Sequence, residues 1–162
     1  MHPIDDLSAT HPQSSHAGRW QCISDGVMGG LSAGVITREP RAGRTALCLR
    51  GAVSLENNGG FVQMALDLTP DGSLCDAGAF EGIELEVCGN GEQYSVHLRT
   101  DAVSRPWQSW RQHFIATPTW LTIRLPFAGF EAHRIDAPLE TRRLRRLGIV
   151  AIGRAFEADV AV

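Results

Sequence analysis

Ile83-Glu84-Leu85-Glu86-Val87-Cys88-Gly89-Asn90-Gly91-Glu92-Gln93-Tyr94-Ser95-Val96-His97-Leu98 alternates apolar and polar residues on either side of an Asn-Gly pair. Alternation with a period of two puts every second side chain on one face of a strand, so this stretch predicts two strands and no helix. Asn-Gly is the favoured two-residue loop of a type I′ hairpin. The register that follows sets Gly89 opposite Glu92 and pairs Val87 with Tyr94, Leu85 with Val96 and Ile83 with Leu98. Apolar then meets apolar throughout, and a slip of one residue would break every pair. The opposite face would place Glu86 by Ser95, Glu84 by His97 and Gly82 near Arg99.

The same period continues outward in both directions. Val62, Met64, Leu66 and Leu68 alternate with polar or small neighbours, as do Leu121, Ile123 and Leu125, and Phe156, Ala158, Val160 and Val162. Shorter strand candidates are Trp20–Ser24, Ala33–Thr37, Thr45–Arg50, Trp107–Ile115 and Leu147–Ile152. A single helical turn is expected over Leu139–Arg145, just after Pro138. Turn signals at short intervals between strands are the pattern of an antiparallel sandwich or barrel. The chain therefore reads as all-β.

A length of 162 residues suits one domain with a real core. Hydrophobic content of 43% with 20% charged residues is that of a globular chain. A net charge of −3 exerts no long-range pull on nucleic acid or anionic lipid. No run approaches the roughly 18 apolar residues of a membrane span. Residues 1–18 are polar, with His2, His11 and His16 beside Pro3 and Pro12, and read as a flexible segment ahead of one domain over 19–162. They resemble neither a signal nor a transit peptide, so a cytoplasmic location is expected. Cys22, Cys48, Cys75 and Cys88 are widely spaced without a Cys-x-x-Cys pair, which predicts four free thiols and no zinc site.

Two glycine-paired loops stand out from this background. Trp20-Gln21-Cys22-Ile23-Ser24-Asp25-Gly26-Val27-Met28-Gly29-Gly30-Leu31-Ser32 is followed by Ser54-Leu55-Glu56-Asn57-Asn58-Gly59-Gly60-Phe61. Glycine at this density implies positive φ or close backbone approach. Asp25, Glu56, Asn57 and Asn58 could supply oxygens to a cation or a hydroxyl-rich ligand. The favoured reading is that they close tight corners by satisfying buried backbone groups, with Met28 as a packing plug. The two loops are expected to meet in space.

Both loops resemble the thirty-kilodalton complex I intermediate-associated protein family, whose pattern runs from a Trp into Asp-Gly-Val-Met-Gly-Gly-x-Ser. The resemblance continues through Ser54–Phe61, Leu98-Arg99-Thr100-Asp101, Trp107-Gln108, Leu125-Pro126-Phe127-Ala128-Gly129-Phe130 and Leu144-Arg145-Arg146-Leu147-Gly148-Ile149. It spans residues 19 to 162. It implies a galactose-binding-like β-sandwich jelly-roll and a non-catalytic role as chaperone or scaffold in respiratory complex I assembly. Mitochondrial members carry a targeting segment and a long N-terminal extension that this sequence lacks, so the expectation here is a small binding or assembly module.

Candidate contacts for a ligand or a protein partner are Asp25, Asn57, Asn58, His97, Arg99, Asp101, Trp107 and Gln108. Glu84, Glu86, Ser95, His97 and Arg99 would form one polar face, either plain solvated surface or the floor of a groove. An Arg99–Asp101 pair would fix the loop 102–106. Trp107, after Pro106, is the best exposed aromatic for stacking on a sugar, whereas Trp110 alternates with Gln112 and Phe114 and should face the core. A lectin-like carbohydrate-binding module, contacting sugar through Trp107, Arg99 and the Asn57-Asn58 loop, is the alternative reading. His97 and His113 fall on neighbouring strands without metal-ligand spacing. No nucleophile motif or phosphate loop is present, so no enzymatic activity and no cofactor are expected. Arg142-Arg143-Leu144-Arg145-Arg146 reads as a solvated turn or a protein-docking patch.

Overall fold

In the computed structural model the backbone is described over residues 1–162, with all side chains except those of Val27, Met28 and Asn58. In chain order the strands are β1 (Trp20–Ser24), β2 (Ala33–Arg41), β3 (Arg44–Val53), β4 (Phe61–Asp67), β5 (Gly82–Gly89) and β6 (Gln93–Thr100). They continue as β7 (Ser109–Ile115), β8 (Leu121–Pro126), β9 (Glu131–His133), β10 (Leu144–Ile152) and β11 (Phe156–Ala161). One sheet has the order β1-β4-β10-β6-β7-β9, and the other β2-β3-β11-β5-β8. All pairings are antiparallel. This is a β-sandwich jelly-roll.

The core lies between the sheets. Leu47 and Leu49 on β3, Val87 on β5 and Val160 on β11 face Met64, Leu66, Val96, Leu98 and Trp110 across it, all fully buried or nearly so. Each such side chain contributes about 1.5–3 kcal/mol by leaving water. The strands predicted from alternation are all present, and each of the shorter candidates overlaps a strand. The three-residue β9 has no signal in the sequence, being too short to show a period. The expected helical turn over Leu139–Arg145 is a single 3₁₀ turn, Thr141–Arg143, and Leu144 already begins β10.

The expected hairpin is not formed. β5 pairs with β8 and β11, while β6 pairs with β10 and β7, so the Asn90-Gly91 corner carries the chain from one sheet to the other. A type I′ turn needs positive φ at both central residues. Gly91 has φ 82°, but Asn90 is not in the left-handed region. The Asn90 side chain is engaged elsewhere, its Nδ2 donating to the Glu157 carbonyl at 2.9 Å and its Oδ1 accepting the Tyr94 hydroxyl at 2.6 Å. Val87, Tyr94, Val96 and Leu98 do share a core, but they meet across the sandwich and not side by side.

The expected polar face divides accordingly. Glu84 and Glu86 lie on the outside of the five-stranded sheet, paired with Arg124 and Arg44. Ser95, His97 and Arg99 lie on the outside of the six-stranded sheet, opposite Val150, Gly148 and Arg146 of β10.

Residues 1–18, expected to be flexible, are laid against the domain. Ile4, Leu7 and Ala17 pack on the core. Asp5 accepts the Trp20 indole N–H at 2.8 Å and the Ser15 N–H at 3.1 Å. The Trp20 N–H in turn donates to the Pro12 carbonyl at 2.8 Å.

Candidate functional site

A strand in the middle of a sheet normally buries one face and offers the other to solvent. β6 departs from this. Its core face holds Tyr94, Val96 and Leu98, yet Ser95 and His97 on the outer face are also buried. The reason lies on either side. Gly148 of β10 faces His97, and the loop after β6 turns back over the strand ends, so the outer face forms a groove and not a flat surface. The groove is lined by Gln63, His97, Arg99, Pro106, Gln108, Ser109, Arg111, Arg146 and Gly148, around a volume of about 40 Å³.

Gly148 leaves room there for the Gln63 side chain. A Cβ at that position would come within 2.5 Å of Gln63 Oε1. Glycine inside a strand marks close approach of this kind.

The loop that forms one wall is tied by side chains. Gln108 Oε1 accepts the N–H groups of Ser104 at 2.9 Å and Arg105 at 3.0 Å, and Nε2 donates to the Arg134 carbonyl at 3.0 Å. Arg99 Nη1 donates to the Pro106 carbonyl at 3.1 Å. Asp101 does not pair with Arg99; it holds Arg143, whose Nε lies 3.0 Å from its carboxylate oxygens. The expected pair is not formed: Arg99 alone reaches the loop, and Asp101 ties the end of β6 to Arg143. Trp107 is 45% exposed, and its carbonyl accepts from Arg111 Nη2 at 3.4 Å.

Three guanidinium groups converge on the groove. Arg146 is bonded to Asp67, Nε to Oδ1 at 2.8 Å. Arg99 and Arg111 hold only neutral acceptors, Arg111 Nε donating to Ser109 Oγ at 2.9 Å. Burial lowers the pKa of Arg99, with Arg146 adding to it, and burial pushes Arg111 down to about 10, with Arg134 adding to it. His97 is only 9% exposed, and its Nε2 has no hydrogen-bond partner. Burial, then Arg111, His133 and His113, push its imidazole down to about 2, so the ring is neutral at physiological pH.

Of the expected contacts, His97, Arg99 and Gln108 line the groove, while Trp107 and Asp101 belong to its loop and edge. Asp25 and Asn57 lie outside it. Asp25 is fully buried where the two glycine-paired loops do meet, and it accepts the N–H groups of Ser32, Gly60 and Phe61 and the Ser32 hydroxyl. Burial pushes its carboxyl up, and these hydrogen bonds more than offset that, leaving it below the ordinary value. Asn57 takes φ 54° in the turn, a conformation that Asn tolerates. The side chains of Asn58 and Met28 lie outside the described residues. Gln63, Ser109, Arg111, Arg146 and Gly148 were missed by sequence reasoning because strand order alone brings them together; Gly148 within an apolar strand was the one available signal.

Arg142, Arg143, Arg145 and Arg146 do not act as one patch. Leu144 enters the core, Arg143 turns to Asp101 and Arg146 to Asp67. His113 faces Ser95 on the neighbouring strand. Among the described residues no cluster of three or more His, Cys, Asp or Glu is placed to hold a metal ion. All four cysteines are free. Among the described residues no helix is long and apolar enough to cross a membrane. A larger recess of about 390 Å³, lined by residues with apolar side chains, Trp110, Phe127, Phe130 and Leu139 among them, contains none of the expected contacts.

The sequence model described as Complex I intermediate-associated protein 30 matches residues 9–159. The chain belongs to the complex I intermediate-associated protein 30 family. A comparison with curated proteins gave no match. Among solved structures, this family member is similar to the family 11 carbohydrate-binding module of a cellulosomal cellulase of Clostridium thermocellum. The TM-score is 0.71 at 12% identity, covering 97% of this chain and 88% of that one. The Clostridium thermocellum family 11 module in complex with a β-1,3-1,4-mixed-linked tetrasaccharide aligns with TM-score 0.69 and 13% identity, over 97% and 89% of the two chains. A family 30 carbohydrate-binding module from the same organism aligns at 0.58 with 15% identity, over 80% and 78%. At such identities the likeness is one of fold.

Proposed function

We propose that this member of the complex I intermediate-associated protein 30 family is a non-catalytic binding module that acts as an assembly scaffold or chaperone on a protein partner. The groove over β6 is its recognition face. The observation that carries the reading is a buried, polar, cation-rich groove on the outside of a sheet, where solvent alone requires nothing of the kind. Catalysis is disfavoured by the same residues: among the described residues no carboxylate lines the groove, and a His97 held neutral without an acid to orient it is a poor general acid or base. Family membership supports the assembly role, with respiratory complex subunits as the partners to seek.

The second reading is carbohydrate binding. Trp107, half exposed on the loop beside the groove, favours it, together with a fold shared with carbohydrate-binding modules. Affinity capture of the tagged chain from its native cell, with a glycan array run in parallel, separates the two. Reproducible recovery of respiratory subunits is the expected result. Glycan binding without protein recovery would replace this reading with the second.

A further inference from the structure

The charge of the groove is not balanced by the protein. Of the half-buried arginines other than Arg99 and Arg111, Arg41 pairs with Asp159, Arg146 within the groove pairs with Asp67, and Arg38 holds the Ala9 carbonyl. Arg99 and Arg111 are half-buried too, and among the described residues neither is in ion-pair contact with an acid. Two guanidinium groups removed from water without a counter-charge destabilise the fold unless something else repays the loss. His97 adds a buried ring nitrogen without a partner, which carries a desolvation cost of its own.

We infer that the groove receives a carboxylate, presented by an acidic side chain of the protein partner and held by Arg99, Arg111 and His97. The inference rests on the binding-module reading above and names the chemistry that the module recognises. Guanidinium forks match the two oxygens of a carboxylate, and such charge-assisted bonds are about twice as strong as neutral ones. A neutral imidazole can donate Nε2–H to the same group, so the bound acid selects that tautomer. The Ser109 hydroxyl accepts from Arg111 and keeps its own proton to donate. The volume of about 40 Å³ exceeds the roughly 10–15 Å³ that seats one water and admits a carboxylate head while the rest of the partner lies over Pro106 and Trp107.

The test is a titration of the full chain followed by nuclear magnetic resonance of the arginine Nε–H and histidine ring signals. The probes are a tri-glutamate peptide, a tri-glutamine peptide, free acetate and a β-glucan tetrasaccharide. The acidic peptide should move the Arg99, Arg111 and His97 signals in a salt-sensitive way, with acetate moving the same signals at higher concentration and the tri-glutamine peptide leaving them in place. Arg111→Lys keeps the charge but loses the fork, and should weaken the acidic peptide by about tenfold. Movement by the tetrasaccharide in place of the acidic peptide overturns the inference, as does equal movement by the glutamate and glutamine peptides. A partner recovered equally well by the Arg99→Gln/Arg111→Gln chain also overturns it, while leaving the binding-module reading intact. Acidic-peptide binding without any recovered protein partner keeps the carboxylate site and overturns the assembly role assigned to it.

Discussion

Asp25 and Gly60 are 35 residues apart in the chain, and the buried carboxylate of the first accepts the backbone N–H of the second. The same carboxylate accepts the Ser32 N–H at 3.0 Å and the Phe61 N–H at 3.2 Å. The Ser32 hydroxyl, donating to Asp25, accepts the Ser54 N–H at 2.8 Å. One acidic side chain therefore joins the two glycine-paired loops, by satisfying backbone donors that would otherwise be buried unpaired.

Replacing that acceptor tests the joint. Asp25→Asn is nearly isosteric but turns one oxygen into a donor that faces other donors. At least one buried N–H loses its partner, and the expected cost is about 2–3 kcal/mol. Urea unfolding of both proteins measures it. An unchanged midpoint would mean that the carboxylate does not hold the corner.

The glycines around Asp25 are needed for two different reasons, which substitution separates. A Cβ at Gly59 would lie 2.5 Å from Asp25 Oδ2, and one at Gly30 would lie 2.4 Å from Asp25 Cγ, although neither residue has positive φ. Gly29 has φ 84° and nothing near its Cβ. Crowding against the carboxylate predicts that Gly59→Ala costs more than about 1 kcal/mol. Left-handed backbone predicts that Gly29→Asn is tolerated better than Gly29→Val, since Asn enters that region far more readily. Thermal melts of the three variants decide it. Equal losses for Gly29→Asn and Gly29→Val would refute the conformational account.

How much could be read from the sequence follows from the range of each signal. Alternation is local, so Val62–Leu68 and Leu121–Leu125 showed their strands directly. Asp25 among glycines showed a corner, because that composition has few other uses. Sheet membership is not local. Ile83–Val87 and Tyr94–Leu98 fit a hairpin as well as a corner between sheets, since both place the same side chains in the same core. The Glu157 carbonyl that receives Asn90 lies 67 residues away. The groove was half visible for the same reason: His97, Arg99 and Gln108 sit in one stretch, whereas Arg111, Arg146 and Gly148 reach it only through the order β10-β6-β7.

Asn90 offers a direct check on the corner. In a type I′ hairpin Asp replaces Asn at little cost. At this corner Asp has no N–H to give the Glu157 carbonyl and sets an oxygen against it. Asn90→Asp should therefore lose about 1 kcal/mol, the worth of a hydrogen bond, with some repulsion added. Chemical denaturation gives the value. A neutral substitution would contradict the part assigned to Nδ2.

The buried His97 makes stability depend on acidity in a window of its own. The unfolded chain takes up this proton near the ordinary value of 6.5, and the folded chain only near 2. Across that interval the unfolded state binds more protons, so stability falls as pH falls and is fully present above 6.5. The slope approaches about 1.4 kcal/mol per pH unit once the unfolded imidazole is charged. Arg111, His113 and His133 surround the ring and oppose its protonation; His133, itself lowered by burial first and then by Arg111 and Arg134, adds a smaller loss of the same sign. Asp25 also contributes in this direction, but only below its ordinary 3.8. His97→Gln keeps a polar group in the groove and removes the titration. Its unfolding free energy should therefore be flatter than that of the natural chain between roughly pH 6 and pH 4.5, while the two converge in slope above neutrality. Parallel pH profiles for the two proteins would show that His97 accepts its proton as readily folded as unfolded, and that the groove does not bury it.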